Sequence, residues 1–138
     1  PVATYPGVTT LKALHIWHEI AASGDPARLP EAIAENCVFL SPIVHTPQEG
    51  RDLTVMYLTG AMNVFNDGFH YVKEVVAGDH AVLEFVCEVD GIAINGVDIL
   101  TFDDYGMICE FKVMIRPLKA INLMHGKMMA MLEQLKAS

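Results

Sequence analysis

The apolar positions change period along the chain, and the changes predict where helices give way to strands. Starting at Thr9 or Thr10, either able to cap, Leu11, Leu14, Trp17 and Ile20/Ala21 recur every three to four residues. That is the spacing of a helix with one buried stripe, and Gly24 closes it. Asp25-Pro26 opens a second helix, Asp as N-cap and Pro in the first turn, running through Leu29, Ile33 and Ala34. Cys37–Ser41 reads as a short strand ended by Pro42, and Ile43–Gly50 as a loop. Arg51–Phe65 is again helical, with Tyr57, Leu58, Ala61 and Phe65 along one stripe.

From Phe69 the period becomes two. Phe69–Ala77, His80–Val89, Ile92–Phe102 and Met107–Arg116 are strand-like, separated by Gly78-Asp79, Asp90-Gly91 and Asp104-Tyr-Gly106. Such short turns make sequential strands antiparallel neighbours, so the segment predicts a meander. Asn95-Gly96 falls inside the third of these strands and reads as a bulge. Pro117 opens a last helix over 117–136 with a methionine-rich seam that includes Ile121, Met124 and Met128. Pro1–Val8, with two prolines and a glycine, reads as a loose lead-in to one α+β domain spanning 1–138.

Alternation also assigns faces. Glu84 and Glu88 point outward, which turns Leu83, Phe85, Cys87 and Val89 to the core; Glu110 and Lys112 do the same for Phe111, Val113 and Ile115. Val72, Val76, Val86 and Met114 are assigned to the outer face, which is then too apolar for water.

Composition narrows the function classes. The chain has 138 residues, 52% of them hydrophobic, enough for one well-filled core. Its net charge of −8, with only 9 Lys and Arg, argues against nucleic acid and anionic membrane as partners. The three cysteines, Cys37, Cys87 and Cys109, lack paired spacing and read as small buried hydrophobes in a reducing compartment. No apolar run reaches the length of a membrane span, and no secretory pattern opens the sequence, so the expected location is cytoplasmic.

Asp98 is the first candidate for chemistry. It lies between Val97 and Ile99, with Leu100 and Phe102 beyond, so its carboxylate is desolvated whichever way it points. Desolvation raises a carboxyl pKa and lets the neutral acid donate a hydrogen bond to a developing oxyanion. The alternative is an Asp that only accepts hydrogen bonds in a structural network. His45, in the loop past Ser41, has the pKa range for acid–base work or serves as a loop residue. Tyr57 is either a ligand donor or an ordinary half-buried tyrosine. Ser41, His45 and Asp98 lack the elbow and oxyanion loop of a nucleophilic triad. His15 and His18 lack a third metal ligand, and Pro1 does not lead into a strand as a tautomerase proline does. No metal or cofactor is expected.

In order and register, several of these features resemble the nuclear transport factor 2-like superfamily, in its SnoaL-like and ketosteroid isomerase-like branch. They are Gly24-Asp25, Phe39-Leu-Ser-Pro42, Gly50-Arg51 and Val97-Asp-Ile-Leu-Thr-Phe102 followed by Asp-Asp-Tyr-Gly-Met-Ile108. The resemblance covers Leu11 to Arg116, and the last helix extends beyond it. It implies a cone-like curved antiparallel sheet, its concave face covered by the three N-terminal helices over an apolar pocket, and a homodimer through the outer face. It places Asp98 where the isomerase carries its oxyanion-stabilising aspartate. It also places Ser41 at the general-base position and Trp17 at that of the first-helix tyrosine. Neither can move a carbon-bound proton, so standard ketosteroid isomerisation is not expected. The lining expected on this basis is Trp17, Ser41, Leu58, Phe65 and Phe85 with Cys87, Leu100, Phe102, Phe111 and Ile115. Two functions follow: a protein binding a small hydrophobic ligand, or an isomerase-, cyclase- or hydrolase-type enzyme using Asp98 with Tyr57 or His45.

Overall fold

In a computed structural model that describes residues 7–137, four helices pack against a six-stranded mixed sheet that does not close on itself. Helix α1 (Gly7–Ser23) ends at Gly24, whose φ of +71° is the left-handed conformation glycine adopts freely. Asp25 then caps a 3-10 turn, its carboxylate accepting the Ala27 N–H at 3.0 Å, with Pro26 in the first turn. The short α2 (Leu29–Ala32) follows. Ile33 and Ala34, expected in this second helix, instead begin β1 (Ile33–Leu40), because the chain turns extended at Ile33 to join the sheet. Gly7 to Thr10, partly assigned to the lead-in, are already in α1; residues 1–6, including Pro1, lie outside the described residues.

The two-residue strand β2 (Gln48–Glu49) edges the sheet, and α3 (Arg51–Val64) crosses it. The meander β3 (His70–Ala77), β4 (His80–Val89), β5 (Ile92–Phe102) and β6 (Ile108–Arg116) is antiparallel throughout. The order is β2-β1-β6-β5-β4-β3, with β1 parallel to β6, a pairing local spacing does not reveal. Helix α4 (Leu118–Ala137) folds back on α3 and the end of β6.

Two register features shape the concave face. First, Asn95 and Gly96 are not a bulge: β5 pairs with β4 without interruption, Phe85 opposite Gly96. A Cβ on Gly96 would stand 2.4 Å from the Phe85 ring, so the glycine makes room for that ring. The irregularity that shapes the site lies in β3, where Tyr71 and Lys73 face consecutive β4 residues and Val72 is the extra one. Second, Val76 pairs with buried Ala81, which puts it on the concave side rather than the outer face expected for it. The outer face instead carries Val75, Val82, Val86, Val97, Ile99 and Met114.

Candidate functional site

Strand β5 presents Asp98 to the concave face between Leu83 of β4 and Val113 of β6. It is only 5% exposed. The bulge at Val72 brings Tyr71 onto the same face, opposite Phe85, and its hydroxyl donates to Asp98 Oδ2 at 2.5 Å. From α1, the Trp17 indole N–H donates to the Tyr71 hydroxyl oxygen at 2.9 Å. Indole can only donate, and the Tyr71 hydroxyl passes its own hydrogen to Asp98, so the hydrogen bonds run from Trp17 to Tyr71 to Asp98. Oδ2 is therefore an acceptor, and in the neutral acid the proton belongs on Oδ1. Tyr71 is the one hydrogen-bond partner of the Asp98 side chain among the described residues.

Burial pushes the Asp98 carboxyl up to about 7, with the Tyr71 hydrogen bond pulling partly the other way. The same burial, reinforced by the facing carboxylate, holds Tyr71 well above the usual phenol range, so Tyr71 stays a neutral donor. Near neutral pH the site then holds an acid poised between its two forms.

Asp98 lines a cavity of about 350 Å³, within the roughly 300–1,000 Å³ common for small-molecule sites. The sheet contributes Phe85, Phe111, Val113 and Ile115 to its floor, α1 contributes Trp17 and Ala21, and α3 with its C-terminal cap contributes Tyr57, Leu58, Ala61 and Phe65. The rings pack edge-on or stacked: Trp17 on Phe111 at 5.0 Å, Tyr57 on Phe39 at 5.3 Å, Phe69 on Phe85 at 5.0 Å. Ser41 to Val44 form part of the wall, and α4 adds Met124, His125, Met128 and Met129.

Of the residues singled out from sequence, Asp98, Trp17, Ser41, Tyr57, Leu58, Phe65, Phe85, Phe111 and Ile115 all line this cavity. Cys87, Leu100 and Phe102 do not: they are buried in the core clusters around it, filling space between sheet and helices. His45 is exposed and outside the lining. The Ser41 hydroxyl accepts the Ile43 N–H at 2.9 Å, and in this turn Ile43 and Val44 enter the wall while His45 faces solvent. His15 and His18 pair with Glu19 and Glu74, and among the described residues no cluster of His, Cys, Asp and Glu could hold a metal ion. Tyr71 was not anticipated, nor were Phe69, Asn66 and the α4 residues.

Fold and site together define a class, an open α+β cone whose apolar cavity is floored by one buried acid. The family model of the SnoaL-like domain matches residues 15–111, and the chain belongs to that family. A steroid delta-isomerase from Pseudomonas aeruginosa is similar at 31% identity with a TM-score of 0.90, covering 94% of this chain and 96% of that one. An uncharacterised protein with a cystatin-like fold from Silicibacter pomeroyi is 30% identical with a TM-score of 0.81, over 86% and 83%. An NTF2-like protein of unknown function from Mesorhizobium loti shares the fold at 24% identity and TM-score 0.74, over 84% and 98%. No curated protein matches the chain.

Proposed function

We propose that the protein binds a small hydrophobic molecule in the cavity and grips one oxygen of it with Asp98. The observation that carries this reading is the one-way hydrogen-bond chain from Trp17 through Tyr71 to Asp98, ending in an apolar cavity. It spends one carboxyl oxygen and leaves the other to meet a ligand. In its neutral form the acid donates, and the natural partner is a carbonyl, ether or epoxide oxygen. Against apolar walls such a bond discriminates well, because an unpartnered buried polar group is costly.

A second reading, acid catalysis of an isomerase, cyclase or hydrolase type, draws support from the similarity to the Pseudomonas steroid delta-isomerase. Asp98 would supply the proton or hydrogen bond that stabilises a developing oxyanion. The cavity wall holds no second carboxylate among the described residues, and Ser41, expected from the resemblance at the base position, brings only a hydroxyl, whose oxygen accepts the Ile43 N–H. The carboxylate that abstracts a carbon-bound proton on the route of ketosteroid isomerase therefore has no counterpart in the wall among the described residues, and binding is the reading preferred.

The outer sheet face supports a homodimer, since Val75 and Met114 are 61% and 52% exposed beside Val82, Val97 and Ile99. A cytoplasmic location fits the free cysteines Cys37, Cys87 and Cys109. No described helix is long and apolar enough to cross a membrane.

The test compares an apolar ketone with the hydrocarbon of the same skeleton, by calorimetry at pH 6. The ketone should bind about tenfold tighter, a preference the Asp98→Leu variant loses. Equal binding of ketone and hydrocarbon by the parent protein contradicts the role of Asp98.

A further inference from the structure

The polar groups in the cavity wall are unequally spent. Ser41 accepts the Ile43 N–H, the Ser23 hydroxyl donates to the Ile20 carbonyl, and the Trp17 N–H is held by Tyr71. Tyr57, Asn66 and His125 line the same cavity, yet their side chains hold no hydrogen bond or ion pair among the described residues.

Their positions follow the long axis of α3. Tyr57 stacks on Phe39, which neighbours Phe111, and is half-buried. Tyr57 sits midway along α3, while Phe65 caps its C-terminus and packs on Phe85 at 5.8 Å. Phe65 follows Tyr57 by eight positions, about 12 Å along the axis. Phe111 pairs with Leu100 and Phe85 with Gly96, so Asp98 lies on β5 between the two ends. Asn66 directly follows Phe65, and α4 brings His125 to the same end, next to Met124, which packs with Phe65 and Phe85 in one core cluster. Both Asn66 and His125 are exposed, so this end is the rim.

The rim is built differently from the floor. The SnoaL-like match ends at residue 111, and α4 begins at Leu118, so His125 and the methionines beside it lie outside the family pattern. Methionine side chains adapt to varied apolar shapes, whereas an amide and an imidazole offer directed donors. Such a wall is suited to choosing a ligand by what it carries at its outer end.

We propose that Asn66 and His125 form a second recognition point, which holds an oxygen-bearing terminal group of an elongated apolar ligand whose body reaches Asp98. The proposal rests on the ligand-binding reading above and adds the chemistry of the ligand's far end. An anionic or hydroxylated terminus meets two donors there, while the apolar body lies between Phe65, Phe85 and the α4 methionines. The ligand class is thus an amphipathic molecule long enough to reach from this rim to Asp98, polar at its outer end.

Two fluorescent probes with the same body separate the parts of this claim. 1-Anilinonaphthalene-8-sulfonate carries a sulfonate, and N-phenyl-1-naphthylamine is the same molecule without it. The parent protein should bind both, and the sulfonate more tightly. Replacing both rim residues, Asn66→Ala with His125→Ala, should weaken the sulfonate probe about tenfold and change the neutral probe less than about twofold. A His125→Gln variant keeps a donor and should recover part of the loss, with thermal melting confirming that each variant is folded. Equal losses for both probes, or no loss for the sulfonate, overturn the rim proposal while leaving the cavity reading intact. If the parent protein binds neither probe, both fail.

Discussion

Asp98 owes its character to its neighbours rather than to its own chemistry. Leu83 and Val113 flank it in the sheet, and a single phenol hydroxyl replaces the water a carboxylate normally holds. Its pKa stands at about 7 in the folded protein against an ordinary 3.8. Because the folded value is raised, the folded state binds more protons than the unfolded chain between those two values. Stability is therefore highest below pH 4 as far as this residue is concerned, falls as pH rises from about 4 to about 7, and stays reduced above. The difference amounts to roughly 4 kcal/mol for a shift of this size. Asp98→Asn keeps an acceptor for Tyr71 but cannot ionise. Urea unfolding should find the variant more stable than the parent at pH 8 by up to about that amount, with the gap narrowing towards pH 4. A gap that does not change with pH would mean that Asp98 titrates normally. From sequence, the burial of Asp98 was legible because apolar residues flank it on both faces of β5. Its partner was not.

The reason lies at the scale of the strand. Counting back from the Gly78-Asp79 turn, Ala77 pairs with His80 and Lys73 with Glu84, and an unbroken ladder would set Tyr71 opposite Val86 on the outer face. The extra residue at Val72 shifts Tyr71 to Phe85 and turns its hydroxyl toward Asp98. A bulge of this kind leaves no mark in the period-two pattern, and Asn95-Gly96, which looks like one, is a regular part of the ladder. The limits of β4 and β5 were readable from turn dipeptides, while β1 began earlier than expected because Ile33 and Ala34 suit a helix stripe and a buried strand equally well. Gly96 acts at this scale too. Gly96→Ala would drive a methyl into the Phe85 ring and also crowd the Met114 carbonyl at 2.8 Å. Overpacking of this kind should cost about 1–3 kcal/mol, and since Phe85 lines the cavity, a ring displaced by the methyl should also weaken binding of the neutral naphthylamine probe. A variant of parental stability and affinity would show that the ring has room to move.

For the whole molecule, the open sheet gives two apolar surfaces of different fate. The concave one is covered by α1, α3 and α4 and retains a cavity; the outer one, from Val75 to Met114, is uncovered in the single chain. Burying that face against a second copy would remove the valines and Met114 from water without touching the cavity. Light scattering at micromolar concentration should therefore give twice the 15.2 kDa chain mass, and Met114→Glu, which sets a charge among those residues, should shift the population to monomer. A parent protein that is monomeric under those conditions contradicts the dimer. The resemblance visible in the sequence led to this architecture and to the position of Asp98, but α4's place in the cavity wall depends on how the chain folds back after Pro117, which no periodicity encodes.

The central claim is that Asp98 is a neutral-range acid offering one oxygen to a ligand. Its most direct test is a carbon-13 NMR titration of the Asp98 carboxyl, alone and with the apolar ketone bound. The expected midpoint is near 7 in the free protein, rising when the ketone accepts the acid proton, since that bond stabilises the neutral form. A midpoint near 4 that the ketone does not move would contradict it.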